Sequence, residues 1–543
     1  MRHMNQTKIS KAGQILVEAG IVLFLGLIFL TNLLHFNYMM NADLASDAVL
    51  ARLIWTSKEI IPSTWYIAAE TRIIGTPNIA ALFYGMTGNM VFAEGMACCL
   101  MTVSIVISIV FFGKKADLKR LEIDLLVLLG LALPVNKVIL ELLYLFASYY
   151  AVHTAILFFT LGVYAESIKK EKMKPVSAGL SLIFALCLGM QGVRGILILY
   201  GPLFGIEAIR TLYRFYSRGQ QERQACRRLA AAAGDKDSAA SSGGFGCKEK
   251  SKKADFIISL WVCTLLVVSF IGTCFPFSEG QEFSRNIRKG MFKLATVVLP
   301  NAKRAIGFDQ AGIYGKIILI ILVAITCCLL VELICRMWKK EPIEAVNWAF
   351  LVICASPVVT ALIISFTTFG DSERYYFLLI YAMAFAVVLV GRRISGRWKS
   401  AGEILIAIFV IINVYTVYLP ILKSAEPPQT DEYIVGKYLE ENQYRTAYST
   451  FDNANLITVL TNGRVQVSAV SSVDKMDICK WMTSTQWYVP NVPFKERTAY
   501  IIPESQEEKF KDFLTEHKNE VDLLQKIGEY SIYVSDYNFS VLD

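Results

Sequence analysis

The sequence predicts a polytopic α-helical membrane protein of roughly eleven transmembrane helices, followed by a small extracytoplasmic α/β domain. Three observations predict it. Apolar residues make up 55% of the 543-residue chain and charged residues only 18%, with a mean hydropathy of +0.46, too apolar for an ordinary soluble enzyme. The apolar residues come in runs long enough to cross a bilayer. Lysine and arginine collect in alternate connections between those runs, as they do in cytoplasmic loops.

The first run, residues 15–36, is too long for a secretory signal core and lacks a small-residue cleavage site, so it reads as a retained helix. Further spans are expected at 90–112, 121–137, 147–166, 175–191, 195–213, 255–276, 313–335, 344–366, 375–391 and 402–421. The stretch from 121 to 166 is the most irregular, because Pro134 and Lys137 interrupt it. "KISK", "GKKADLKR", "KKEKMK", "RMWKK" and "GRRISGRWKS" then all fall on one side, which the positive-inside rule makes the cytoplasm. The N-terminus is therefore expected inside. Outside lie a first loop at 37–89, the loop at 191–194, the segment 277–312, the loop at 371–375 and everything after Pro420.

The net charge of +8 follows from this topology. Between Arg214 and Lys253 there are ten Lys/Arg and four acidic residues, in an Ala/Ser/Gly-rich stretch without a core to bury. This basic linker, 214–253, attracts anionic headgroups or simply obeys the positive-inside rule. It lacks the folded basic surface with aromatics that nucleic-acid binding requires, so no nucleic-acid partner is expected. The external segment at 277–312 breaks the charge rule. Phe283, Ile287, Met291 and Leu294 fall on one helical stripe and Arg285, Arg288, Lys289 and Lys293 on another, the pattern of an amphipathic surface helix that either covers the bundle or gathers anionic lipid phosphate.

Residues 1–421 thus form the membrane domain and 422–543 the external one, joined through "KSAEPPQT". In the tail, "DEYIVGKYLEEN" and "PESQEEKFKDFLTEHKN" read as helices. "YRTAYSTF", "RVQVSAVS", "RTAYIIP" and "YSIYVSDY" read as strands, and "TNGR" as a turn. Of twelve cysteines only Cys479 falls in the tail, so no disulfide framework or metal-ligand spacing exists there. An external domain without disulfides suits a bacterial cell envelope. No internal repeat of the inverted-transporter kind is visible.

The candidate site is the lip of the first span, "NADLASDAVLARLIWTSKEIIPSTWY". Asp43 and Asp47, four residues apart, share a helical face, where like charges cost a few tenths of a kcal/mol, roughly. Asp43 can cap the helix or take part in chemistry. Asp47 lies a turn inside, beyond the reach of capping, so a catalytic or binding role is expected of it. Trp65, Tyr66, Glu70 and Arg72 follow; the two aromatics serve equally as interfacial anchors. Arg374 and Tyr375 in "FGDSERYYFLL" and Arg194 in "MQGVRG" are the cations placed to hold a phosphate. Arg374 alternatively pairs with Asp371 or Glu373, and Arg194 alternatively snorkels. Glu94 is a carboxylate in apolar surroundings without an evident role. Gly-rich phosphate loops and Ser/His/Asp arrangements are not visible, which disfavours a nucleotide-sugar donor.

The acidic residue just after span one, the many irregular spans and the external C-terminal domain resemble the GT-C superfamily of membrane glycosyltransferases, which take sugars from polyprenyl-phosphate donors. "DLASDAVLARLI" with "WYIAAETRIIGTPNIAALF", and "YSTFDNANLITVLTNGRVQV" in the tail, look like segments of uncharacterised bacterial members, with Asp47 where those often carry Glu and "AAETR" for "STELR". The resemblance implies a GT-C-like membrane domain and transfer of a sugar from a polyprenyl-phosphate donor to a cell-envelope glycan at the outer face of the plasma membrane. It also implies that Asp47 acts as general base, or as orienter of the acceptor hydroxyl. Some members of that superfamily need a divalent metal. With Asp43 as the only evident second ligand, no metal or other cofactor is expected here. The competing functions are a transporter or flippase of lipid-linked oligosaccharide, and a polysaccharide ligase or polymerase.

Overall fold

The computed structural model describes residues 2–35, 40–68, 70–232, 243–275, 287–394, 397–423, 430–488, 497–517, 521–536 and 538–540. Phe283 and Arg285 of the expected amphipathic stripe, the tether at 424–429 and the side chains of the linker from 218 to 252 lie outside what is described.

Helix α1 (Arg2–Leu34) enters the bundle, and two helices of the first loop follow it, α2 (Ala42–Ser57) and α3 (Thr76–Thr87). Then come α4 (Met90–Lys115), α5 (Arg120–Ala132), α6 (Lys137–Leu143), α7 (Ala151–Lys170), α8 (Pro175–Met190), α9 (Gly201–Ala232) and α10 (Gly243–Thr273). After α11 (Ile287–Lys293) and α12 (Leu299–Ala305), the chain crosses again through α13 (Ile313–Trp338), α14 (Ala345–Ser365), α15 (Leu378–Gly391), α16 (Arg397–Asn413) and the short α17 (Leu419–Lys423). Among the described residues nine helical stretches are long and apolar enough to cross a membrane, and the chain is a multi-pass membrane protein. The other two expected spans are shorter: α8 has 16 residues, and α5 has 13, roughly 20 Å of helix. Helix α5 stops just short of Pro134, the residue that interrupts its apolar run. The linker, read as a stretch without a core to bury, continues α9 as helix to Ala232, in keeping with the high helix propensity of its Ala, Arg, Gln and Glu residues.

Two local devices shape the bundle. Three π-helical turns, Ile196–Tyr200, Leu294–Val298 and Val414–Tyr418, each end two residues before a proline, Pro202, Pro300 and Pro420. A proline ring cannot sit beside the carbonyl four residues back, and the helix absorbs the clash by widening one turn. Glycines permit close helix crossing: a Cβ on Gly189 of α8 would come within 2.1 Å of the Ser269 carbonyl oxygen on α10, so backbone rests on backbone there.

Lys293 departs from the expected basic stripe. Its ammonium turns into the bundle and donates to the carbonyl oxygens of Ile364 at 2.7 Å, Thr367 at 3.0 Å and Phe369 at 2.5 Å, capping the C-terminal end of α14. Met291, placed on the apolar stripe, is 67% exposed. The segment breaks at the π turn after Lys293, so a single helical projection does not describe its faces.

The basic connections meet at one end of the bundle. Lys169, Arg214, Lys340 and Arg392 line a common cavity there of about 670 Å³ together with Asp117 and Glu344. Beneath it Glu207 and Arg210 are buried and bonded to each other, with Tyr164 and Ser259 donating to Glu207 and Arg210 donating to Asp255. Every charge in this cluster has a partner within the protein, which makes it a structural network.

The tail is a five-stranded sheet in the order β2-β1-β3-β5-β4, with β1 (Thr446–Thr450), β2 (Gln466–Val470), β3 (Thr498–Pro503), β4 (Asp522–Ile527) and β5 (Tyr530–Ser535). The β1–β2 and β1–β3 pairs are parallel, and β3–β5 and β4–β5 antiparallel. Helices α18 (Asp431–Glu441), α19 (Phe451–Leu460) and α20 (Glu507–His517) accompany it. The four expected strands and two expected helices are present. Strand β4 and helix α19 were not expected. Helix α19 packs against α2 of the first loop, and Val459 and Met482 share a buried cluster with Leu50, Leu53 and Ile54.

Candidate active site

Helix α2 is built to be buried. Asn41 is its N-cap, with a side-chain oxygen accepting from the amide of Leu44 at 3.0 Å, so Asp43 is not the cap. It occupies the first turn, where the helix N-terminus favours a carboxylate. Ala45, Ala48 and Ala51 lie in one buried cluster with Met90, Ala93 and Ala97 of α4, and these small side chains let α2 settle closely onto α4. Asp47 is carried inside with them and is 1% exposed. Neither of its oxygens receives a hydrogen bond. The nearest cation is Arg72, whose Nε stands 3.7 Å from Oδ1, an ion pair beyond hydrogen-bond length. Burial is the largest influence on Asp47 and pushes its pKa up to about 6, Arg72 opposing and Asp43 adding to the rise.

Asp47 opens onto a cavity of about 590 Å³ at the end of the bundle opposite the basic connections. Asp43, Asp47, Trp65, Glu70, Arg72, Arg194, Arg374 and Tyr375 all line it. Tyr66 does not. Its backbone instead pairs with the tail, its amide donating to Thr483 at 2.8 Å and its carbonyl accepting from Met482 at 2.9 Å. Trp65 is 8% exposed and packs edge-on against Trp487, ring centroids 6.1 Å apart, so it is a fixed part of the wall and not a membrane anchor.

The cations are held unequally. Glu70 takes a two-pronged grip from Arg194, at 2.6 and 2.8 Å, and a looser contact from Arg72 at 3.4 Å. Arg194 lies over the Tyr150 ring, 4.2 Å from its centroid, and Arg72 over Tyr149 at 4.5 Å. Arg194 is thus committed to the cavity and does not snorkel. Ion pairing with Asp47 and Glu70 outweighs burial and raises the Arg72 pKa further above its usual value. Arg374 is different. Asp371 is occupied by the Tyr376 hydroxyl at 2.9 Å and the Asn301 amide at 3.0 Å. Among the described residues neither Asp371 nor Glu373 pairs with Arg374, and no carboxylate makes a salt bridge to its guanidinium; the Tyr375 ring lies 5.7 Å away, and Tyr150, Glu70 and Asp43 also bear on it electrostatically. It is the cavity's unspent cation.

Sequence reasoning missed four parts of this wall: Tyr149, Tyr150, Trp481 and Met482. The two tyrosines fall inside the expected span 147–166, but α7 starts only at Ala151. Positive φ angles at Phe146 and Ser148 turn the chain so that both rings face the site. An aromatic pair at the entrance of an apolar run was the available signal. For Trp481 and Met482 there was none, because they arrive from the far end of the chain. Behind Asp47, Glu94 is fully buried on α4, and neither of its oxygens has a donor among the described residues. No group of three or more His, Cys, Asp or Glu side chains is arranged to hold a metal among the described residues.

A helical membrane bundle with a small sheet domain over the cavity is the GT-C fold. Among solved structures, ArnT from Cupriavidus metallidurans in the apo state matches with a TM-score of 0.52 and 9% identity, over 96% of this chain and 98% of that one. The same protein bound to undecaprenyl phosphate matches with a TM-score of 0.51 and 9% identity, over 95% and 97%. An Archaeoglobus fulgidus oligosaccharyltransferase tethered to an acceptor peptide aligns at 0.46, with 10% identity over 96% of this chain and 74% of that one. No family model and no curated protein sequence matches the chain.

Proposed function

We propose that the protein is an integral-membrane glycosyltransferase that moves a sugar from a polyprenyl-phosphate donor to a cell-envelope glycan on the extracytoplasmic side. The observation that carries this reading is the pairing, in one cavity, of a buried carboxylate without a hydrogen-bond donor, Asp47, and a guanidinium without a carboxylate partner, Arg374. The ArnT structure with undecaprenyl phosphate adds that this fold accommodates such a lipid.

In this reading each residue has a step. Arg374 takes the donor phosphate, and Arg194 and Arg72, held by Glu70, add positive potential beside it. Phe275 and Phe369 on the cavity wall give the first prenyl carbons an apolar surface. The acceptor hydroxyl approaches Asp47, which removes its proton as the oxygen bonds to the anomeric carbon. The sugar–phosphate bond breaks, its electron pair leaving with the lipid phosphate. Desolvation makes Asp47 a stronger base than an exposed carboxylate. No step requires a metal. A flippase needs its key charges in a cavity reached from both sides, whereas these gather at one end, and most charges lining the cavity at the other end are paired with one another.

Purified protein given a panel of polyprenyl-phosphate sugars and glycan acceptors will transfer one of them. Asp47→Asn will lower turnover by roughly 10²- to 10⁴-fold, the usual range for a positioned base, while polyprenyl-phosphate binding persists. Equal turnover by both proteins would remove Asp47 from the mechanism.

A further inference from the structure

We infer that Asn455, on the tail helix α19, is a positioning residue that fixes the Trp481–Met482 wall of the cavity relative to Asp47, and with it the acceptor that approaches Asp47. The inference rests on the transferase reading and extends it to a residue remote from the lip. Asn455 is completely buried. Its amide nitrogen makes two hydrogen bonds, to the Ser46 hydroxyl at 2.7 Å and to the Met482 carbonyl at 2.9 Å. Ser46 is the residue before Asp47, and Met482 is cavity wall, next to the exposed face of Trp481.

The donor and acceptor roles are fixed by the chemistry of the partners. A backbone carbonyl only accepts. The Ser46 hydroxyl gives its own hydrogen to the Ala42 carbonyl at 2.6 Å and so must accept from Asn455. The nitrogen therefore faces both partners, and the amide oxygen is left buried with no donor. Leaving a buried oxygen unsatisfied opposes folding, because the group gives up water and gains no donor in return. A side chain serving only to fill space would avoid that cost, whereas one serving as a double donor has no alternative.

The two bonds join three parts of the site. The helix carrying the base, the tail segment carrying Trp481 and Met482, and α19 between them become one rigid unit. Around that link the backbone pairs of Tyr66 with Met482 and Thr483, and the Thr485 amide donating to Thr64 at 2.8 Å, set the register of the same segment. Arg374 and Arg194 lie on other elements. A change at Asn455 therefore displaces the acceptor against Asp47 and leaves the phosphate side in place.

The test uses the full-length chain in lipid. Asn455→Asp is isosteric but has at most one hydrogen to donate and cannot make both bonds, and Asn455→Ala removes the group. Each is expected to lower kcat/KM for the acceptor by about 10- to 100-fold, the effect of misplacing a reactant by an ångström or so, with undecaprenyl-phosphate affinity within about twofold of the parent. Ser46→Ala should do the same, and Ser46→Thr, which keeps the hydroxyl, should retain activity. In an Asp47→Asn background the Asn455→Ala loss should disappear, because a positioning residue has nothing left to position. Parental turnover by Asn455→Asp, or an equal loss in both backgrounds, would overturn the inference. Hydrogen exchange supplies a readout independent of turnover: Asn455→Ala should expose amides at 42–48 and 480–485 together and leave β1 and β3 protected. Unchanged protection at 42–48 would refute the link. A parent that transfers no sugar while its exchange behaves as described would sink the transferase reading alone.

Discussion

Ionising Asp47 puts a negative charge where neither oxygen has a donor and where Arg72 is shared with Glu70. Its pKa is raised by burial to about 6, so the protonated form is the better-accommodated one. The associated stability is fully present below the ordinary carboxylate value of about 4 and is lost as pH rises through about 6. In the proposed transfer reaction activity runs the other way, because a base must be ionised. We expect kcat/KM to fall as pH drops through about 6, a limb that Asp47→Asn abolishes. Glu141, near Asn41 and Asp43, is pushed by burial up to about 7 and is the group able to imitate that limb. A Glu141→Gln protein that keeps the limb assigns it to Asp47; one that loses it assigns it to Glu141. Arg374→Ala should raise the donor KM at least tenfold, roughly the loss of one charge-assisted contact. Arg374→Lys should recover only part of it, since an ammonium cannot make the two-pronged grip. An unchanged donor KM in Arg374→Ala would place the phosphate elsewhere.

At the scale of elements, the close crossing of α8 and α10 positions the loop that holds Arg194. Gly189 lies on the cavity wall and carries that crossing, its missing Cβ leaving room for the Ser269 carbonyl. Gly189→Leu should separate the helices at a cost of about 1–3 kcal/mol and displace Arg194 from Glu70. The check is a lower melting temperature together with weaker polyprenyl-phosphate binding; a stable variant with parental binding would mean that the crossing does not position the arginine. Lys293→Met should likewise loosen the end of α14. Much of this layer was legible in the sequence. Apolar runs found the long helices, and alternation or a richness in β-branched and aromatic residues found four of the five strands. Strand β4, "DLLQKI", escaped because it is largely exposed on one edge and so carries no buried face to read. The early start of the span at 147 misplaced Tyr149 and Tyr150, since local turns with positive φ leave no hydropathy signal. Lys293 was misread for a related reason: three carbonyls at the end of another helix decide where its ammonium goes, and periodicity knows nothing of them.

Taken whole, the molecule is less divided than its sequence suggests. The acids and arginines of the lip were legible because charge in apolar surroundings is conspicuous, but the contact between tail and lip was not, since it depends on residues more than 400 positions apart. Helix α2 is covered by α4 on one side and by α19 on another. Asn462, at the turn after α19, takes a hydrogen bond from the Met90 amide at 2.9 Å and donates to the Gly88 carbonyl at 2.9 Å, so the tail also caps the start of α4. Arg52 of α2 reaches Gln466 of β2. Two bodies joined by a flexible tether would open independently, whereas this pattern makes the lip and the tail one cooperative unit. Truncation after Lys423 should therefore strip protection from amides 42–57 while those in α7, buried within the bundle, keep theirs. It should also expose Leu50, Leu53 and Ile54, apolar surface that promotes aggregation. Hydrogen exchange of the truncated chain in nanodiscs decides the matter. Persistent protection at 42–57 would show that the membrane part holds Asp47 unaided, and the tail would then serve the acceptor alone.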